Sequence, residues 1–194
     1  MKLYYAPGAC SLADHIALHE AGLSFEHERV DLKAKRTDGG VDYMTINPKG
    51  YVPALTLDSG ETLSENIAIL DWVAHHKATL KPSGPLGQTH LLEALGYIST
   101  EIHKSFKPFF AGADDDEKAK AGETILKRMG YLADTLQGDF LFGSNISVAD
   151  FYLFVMLLWA QKNGLEVPNK LADFRDRLME RPAVRTAMTH EGLI

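Results

Sequence analysis

Cysteine is almost absent. Cys10 is the only one in 194 residues, which excludes an intramolecular disulfide and a cysteine-based metal cluster and leaves packing to hold the fold. Long apolar runs are missing too. The longest, Phe151–Ala160 (FYLFVMLLWA), is about half of the roughly 20 residues that cross a bilayer, so it is expected to be a buried core helix rather than a membrane anchor. Positive charge is scarce: 20 Lys and Arg face 26 Asp and Glu, for a net charge of −6. A polyanion partner needs a clustered positive field, so nucleic acid is not expected. The one basic cluster, Lys33–Arg36 (KAKR), taken alone is a solvated loop. Met1-Lys2 leads into LYYAPGA, which lacks the apolar stretch of roughly 7–15 residues found in a secretory signal, so a cytoplasmic protein is expected. What is present is an ordinary globular composition, 45% hydrophobic and 24% charged, enough for one sizeable core or two small ones.

Strand and helix signals mix over the first 80 residues, and helical periodicity follows. Lys2–Ala6 reads as a strand, PGACS as a turn, and Ser11–Ala21 as a helix stopped by Gly22. Ser24–Leu32 reads as a second strand, KAKRTDGG as loop, and Asp42–Ile46 as a helical turn. Ala54–Leu57 and Glu61–Leu63 flank the turn DSG as a hairpin, followed by a helix over Glu65–Lys77 with Ile67, Leu70, Val73 and Ala74 on its buried face. The order β-α-β-α-β-β-α implies a four-stranded mixed sheet, its first two strands parallel through a right-handed crossover. The Pro- and Gly-rich KPSGPLG marks a linker at 81–86, separating domain 1–80 from an all-helical domain 87–194. Helices are expected at about 86–110, 115–137, 147–163, 170–180 and 183–190. Ser147 and Asp150 form a capping box, with Ile146 and Phe151 as its hydrophobic staple, and are structural residues.

Three local signals carry chemistry. Cys10 lies where a turn meets a helix, so its sulfur is expected near the first helical amides, where the dipole favours a thiolate, its own or a ligand's; the competing reading is a small buried hydrophobe. No CxxC partner follows, which excludes dithiol exchange. Pro53 opens the ALTL strand, a common setting for a cis bond. The resulting kink would turn the N–H and C=O of Val52 outward for an extended peptide to pair with. At Ser64-Glu65-Asn66 a helix begins, and this end can hold an α-amino acid group: Glu65 takes the ammonium, and Asn66 with the backbone amides takes the carboxylate. Simple capping by Ser64 is the alternative. Tyr5 either approaches a ligand thiol or packs in the core. His15 and His19, four apart on one helix, could share a metal, but no third ligand is apparent and no metal site is expected. His75 and His76 point to different faces, and Asp114–Glu117 is an acidic first turn.

Taken together, LYYAPGACSLA, NPKGYVPAL, the LSEN helix start and GSNISVADFYLF resemble the glutathione transferase family, most closely its bacterial beta class, over nearly the whole chain. The resemblance implies a thioredoxin-like domain, an all-helical domain and glutathione as cosubstrate. By that resemblance Cys10 lies beside the glutathione sulfur and can form a mixed disulfide with it. Val52-Pro53 pairs with the cysteinyl backbone, Lys35 reaches the glycyl carboxylate, and Glu65 with Asn66 binds the γ-glutamyl end. His103 faces the substrate cleft. The family usually has Glu-Ser where this chain has Glu65-Asn66, and the class often has asparagine where this chain has Gly96. A homodimer is also implied.

The expected chemistry is attack by a glutathione thiolate, held near the Cys10 and Ser11 amides, on a small apolar electrophile in a cleft lined by residues such as Phe106, Phe109 and Phe110. Thiol-transferase or peroxidase side activity is compatible with it. Cys10-dependent disulfide reduction or reductive dehalogenation is the close alternative. A non-catalytic ligand-binding protein is the alternative from another class.

Overall fold

A computed structural model describes all of residues 1–194. The chain divides into two compact units, Met1–Ala78 with Glu180–Ile194, and Thr79–Met179.

In the first unit, β1 (Lys2–Tyr5), β2 (Glu26–Asp31), β3 (Arg36–Thr37), β4 (Ala54–Thr56) and β5 (Thr62–Ser64) form one sheet in the order β3-β2-β1-β4-β5. β1 and β2 are parallel, with Leu3 opposite His27; β1–β4 and β4–β5 are antiparallel, with Leu3 opposite Leu55 and Leu55 opposite Leu63. The expected sheet of four strands therefore has five. Arg36 and Thr37, read as loop from their polar neighbours, pair with Asp31 and Val30. Such a two-residue edge strand leaves no apolar alternation to read, because one side faces water.

Helix α1 (Ser11–Ala21) packs on β1 and on α2 (Asn66–His76), and Leu12, Ile16 and Leu18 are fully buried. Each such side chain contributes about 1.5–3 kcal/mol when removed from water. Gly22 closes α1 at φ 72°, its N–H donating to the His19 carbonyl, a left-handed C-terminal position that glycine adopts without penalty. On α2 the buried apolar residues are Ile69, Leu70, Val73 and Ala74, with Ile67 only half-buried. α8 (Pro182–His190) packs against α1 and so belongs with this unit, not with the helical domain in which the sequence reading placed it.

The second unit holds α3 (Gly87–Tyr97), α4 (Lys107–Phe110), α5 (Asp115–Thr135), α6 (Val148–Lys162) and α7 (Asn169–Met179). The continuous helix expected over 86–110 is interrupted: Ile98–Ile102 widens to a π turn and His103–Phe106 tightens to a 3-10 turn before α4. Pro108, in the first turn of α4, has no N–H for an upstream carbonyl, which favours a break there. α6 is the apolar run, buried almost throughout. Its start carries the capping box, with the Ser147 N–H and hydroxyl both donating to Asp150 Oδ2 (2.7 and 2.6 Å) and the Leu141 N–H donating to Oδ1 at 2.8 Å. Burial pushes the Asp150 carboxyl up to about 6 against the pull of those three bonds.

Replacing Asp150 with Ala strands three donors, two of them backbone or hydroxyl groups of a buried Ser147, and should destabilise the protein by about 3 kcal/mol, against about 1 kcal/mol for Ser147→Ala. Urea denaturation measures both, and an Asp150→Ala protein within about 0.5 kcal/mol of wild type contradicts this role.

Candidate functional site

The turn between β1 and α1 places Cys10. Gly8 adopts φ 68° and its N–H donates to Glu191 Oε2 at 2.9 Å. Ser11 is fully buried and its hydroxyl bridges back to Ala6, accepting from the Ala6 N–H at 3.3 Å and lying 3.4 Å from the Ala6 carbonyl. Glu191 also lies 3.0 Å from His15 Nδ1 with both side chains buried. Burial pushes Glu191 up to about 8 and His15 down to about 4. The pair is therefore neutral near pH 7.

Cys10 is the N-cap of α1, and its sulfur lies 3.8 Å from the Val52 carbonyl oxygen. Burial, and next the Asp14 carboxyl, push its thiol up to about 12, while the N–H groups of Ser11 and Cys10 pull the other way. Of the two thiolates the helix start was expected to favour, its own or a ligand's, the first is disfavoured: for this half-buried cysteine, desolvation of the sulfur outweighs the pull of the amides. Asp14 is itself buried, and burial holds its carboxyl well above the usual carboxylate range; for Cys10, desolvation is the main cause.

Val52-Pro53 is a cis peptide. The Val52 side chain packs in a small core with Tyr4, Val30, Tyr43 and Ala54. Its N–H makes no hydrogen bond within the chain. Its carbonyl lies 3.8 Å from the Cys10 sulfur, so of the two groups expected to face outward the N–H is the one without a partner in the chain. The loop before it is fixed, because the Tyr51 carbonyl accepts from Tyr43 Oη (3.0 Å) and Asn47 Nδ2 (2.7 Å). Gly50 must be glycine: φ is 71° and a Cβ would meet Met44 Sδ at 2.9 Å. Lys35, at φ 54°, donates from Nζ to the Gly50 carbonyl at 2.5 Å, which brings the KAKR segment to this edge.

Glu65 is the N-cap of α2 at φ 78° and is exposed. Its Oε1 accepts from Lys49 Nζ at 2.5 Å and Tyr51 Oη at 2.6 Å, and these bonds hold its carboxyl below its ordinary range. Ser64 ends β5 and does not cap the helix, so the capping alternative falls. Asn66 is buried. In the orientation that satisfies both ends of its amide, the nitrogen donates to Asp14 Oδ2 at 2.7 Å and to the Cys10 carbonyl at 3.0 Å. Its side chain thus braces the Cys10 turn, while the backbone amides at the start of α2 keep their capacity for a carboxylate. Tyr5 is turned into the core, its hydroxyl donating to the His190 carbonyl at 3.3 Å.

In the second unit, His103 shares a 2.6 Å hydrogen bond with the Tyr152 hydroxyl and stands edge-on to Trp159, and burial lowers its pKa. It borders a cavity of about 530 Å³ lined also by Ser99, Thr100, Lys104, Lys107 and Phe110. Phe106 is fully buried and does not line it. A Cβ at Gly96 would meet open space.

Two family models match the chain: the N-terminal domain of glutathione S-transferase over residues 9–76 and its C-terminal domain over residues 100–189. The chain belongs to the glutathione S-transferase family. It is 41% identical to glutathione S-transferase GstA of Escherichia coli O157:H7, with all of both chains covered. It is similar to a sphingomonad glutathione S-transferase solved in complex with glutathione (45% identity, TM-score 0.93, all of both chains). A bacterial beta class enzyme of Sphingomonas chungbukensis matches at 43% identity and TM-score 0.91, again over all of both chains.

Within this transferase fold, sequence reasoning missed Lys49, Tyr51, Asp14 and Glu191. Lys49 precedes and Tyr51 belongs to the GYVP turn, and a cation near Glu65 in sequence was the available signal. Asp14 and Glu191 carried none, since their neighbours lie far away in sequence. The high thiol pKa yields a test: in the ligand-free protein, alkylation of Cys10 by iodoacetamide should keep accelerating as pH rises well past 9. A plateau near pH 7 would show a stabilised thiolate and overturn the assignment.

Proposed function

We propose that this glutathione S-transferase binds glutathione along the Val52 edge and uses the glutathione thiolate, not Cys10, as its nucleophile. The observation that carries this reading is the open Val52 N–H beside Cys10, in a loop braced on both sides, with the acidic N-cap Glu65 and the unpaired amides of α2 nearby in the same unit. An extended peptide finds there a backbone donor for its middle residue, a carboxylate for an ammonium group and helix amides for a carboxylate. Lys35 and Lys49 supply positive charge for a second carboxylate.

The N–H groups of Cys10 and Ser11 favour a bound sulfur anion, and a drop of two pKa units in its thiol corresponds to about 2.7 kcal/mol, within reach of charge-assisted hydrogen bonds. Cys10 itself, a neutral thiol, serves as a weak donor beside that sulfur. The thiolate attacks carbon, a C–S bond forms, and the leaving group departs with the electron pair of the broken bond. Fixing both reactants supplies the proximity term. The cavity beside His103 is the candidate holder of the electrophile. Phe110 offers it an aromatic face, and Lys104 and Lys107 make it less purely apolar than expected. The protein acts as a cytoplasmic homodimer in detoxification on this reading; no helix is long and apolar enough to cross a membrane.

Retention on immobilised glutathione with conjugation of an activated aryl halide tests the proposal, and binding without turnover would favour the carrier reading. Cys10→Ala should keep that conjugation while losing any disulfide reductase activity; loss of both would make Cys10 the nucleophile. Glu65→Gln should raise the KM for glutathione at least about tenfold, the loss expected for a charge-assisted bond, and an unchanged KM would remove Glu65 from the site.

A further inference from the structure

Half of the chain's eight histidines gather in the first unit: His15 and His19 on α1, His27 on β2 and His190 at the end of α8. The sequence offered only the His15–His19 spacing, and the fold adds the other two. Ring centroids of His15 and His27 are 5.0 Å apart, those of His15 and His190 5.6 Å, and those of His27 and His190 4.5 Å. One nitrogen from each of His15, His27 and His190 lies within 4.8 Å of the other two. His15 is completely buried, and its Nε2 has no hydrogen-bond partner, nor has the buried Nε2 of His19. A buried polar atom left without a partner costs about 1–3 kcal/mol, so ring packing alone does not account for the cluster.

We propose that His15, His27 and His190 form a binding site for a late first-row divalent transition metal of the zinc type. Three imidazoles without a carboxylate among them suit zinc, cobalt, nickel or copper and disfavour magnesium and calcium. The surroundings complete the arrangement expected of such a site. Glu191, anchored by the Gly8 N–H, lies on His15 Nδ1; with Nδ1–H donating to it, the ring is fixed and the Nε2 lone pair is left for the metal. His27 is half-buried and His190 exposed, which provides an entry path and a fourth position for water. With metal–nitrogen bonds of ~2.0–2.1 Å, ligand atoms of a tetrahedral site stand roughly 3.3 Å apart, so the rings at the open side must turn inward by about 1–1.5 Å. An ion held there would clip together α1, β2 and the C-terminal segment.

The test uses the untagged full chain titrated with cobalt(II), followed by the visible d–d absorption of a tetrahedral complex, with zinc competing for the same site. Expected are one ion per chain and a loss of affinity of more than about 100-fold in His27→Ala and in His190→Ala, exceeding the effect of removing an outer partner. Both positions have exposure enough to leave the fold intact, which circular dichroism verifies. His75→Ala/His76→Ala and Cys10→Ser should bind as wild type. Absence of the absorption in the wild type, equal binding in His190→Ala, or loss of binding in Cys10→Ser or the His75/His76 variant would each overturn the site.

Discussion

The Glu191 carboxyl holds the first unit of this protein in register. One oxygen accepts from the backbone of Gly8 in the turn that delivers Cys10, and the other meets His15 on the helix that follows. The turn and the helix after it are thereby joined to the distant C-terminal segment at one buried group. Because the Glu191–His15 pair is neutral as a whole, it does so without placing an uncompensated charge in the core, which would be far more costly. Asn66 repeats the device from the other side, bonding the Cys10 carbonyl and Asp14. The turn that shelters the thiol is therefore set by the C-terminal segment and by the start of α2, and only partly by its own residues.

The chemistry follows from that shelter. A sulfur at a helix start whose desolvation outweighs the pull of the amides stays a thiol, so of the two thiolates the sequence left open the ligand's is favoured over the cysteine's own. The N–H groups of Cys10 and Ser11 remain available to an incoming anion, while the cysteine side chain itself is kept uncharged. Glu65 makes the opposite case: exposed and met by Lys49 and Tyr51, it is an ionised carboxylate before any ligand arrives.

Much of this was legible in one sequence wherever the signal was local. The helix Ser11–Ala21 with its Gly22 stop, the hairpin after Pro53 and the Ser147–Asp150 cap all depend on residues within a few positions of one another, and they sit where the pattern placed them. What was not legible depends on distance in the chain. Arg36–Thr37 became a strand because Val30 and Asp31 offered an edge. Asn66 turned inward because Asp14 and Cys10 lay behind it. The continuous helix drawn across Ile98–Phe106 failed for a subtler reason: a π turn followed by a 3-10 turn preserves the apolar spacing that periodicity detects while changing the hydrogen-bonding partners.

The division of the chain also bears on its synthesis. The first unit opens at Met1, is left at Ala78 and is finished only by Glu180–Ile194, so the ribosome has made the whole helical unit before the segment that completes the thiol-bearing half can emerge. Until then Gly8 and His15 lack Glu191, and the face of α1 that α8 will cover is bare. The helical unit, contiguous in sequence, can mature during translation, whereas the first unit must close a loop of about half the chain before its last segment joins it, a delay that topology alone imposes.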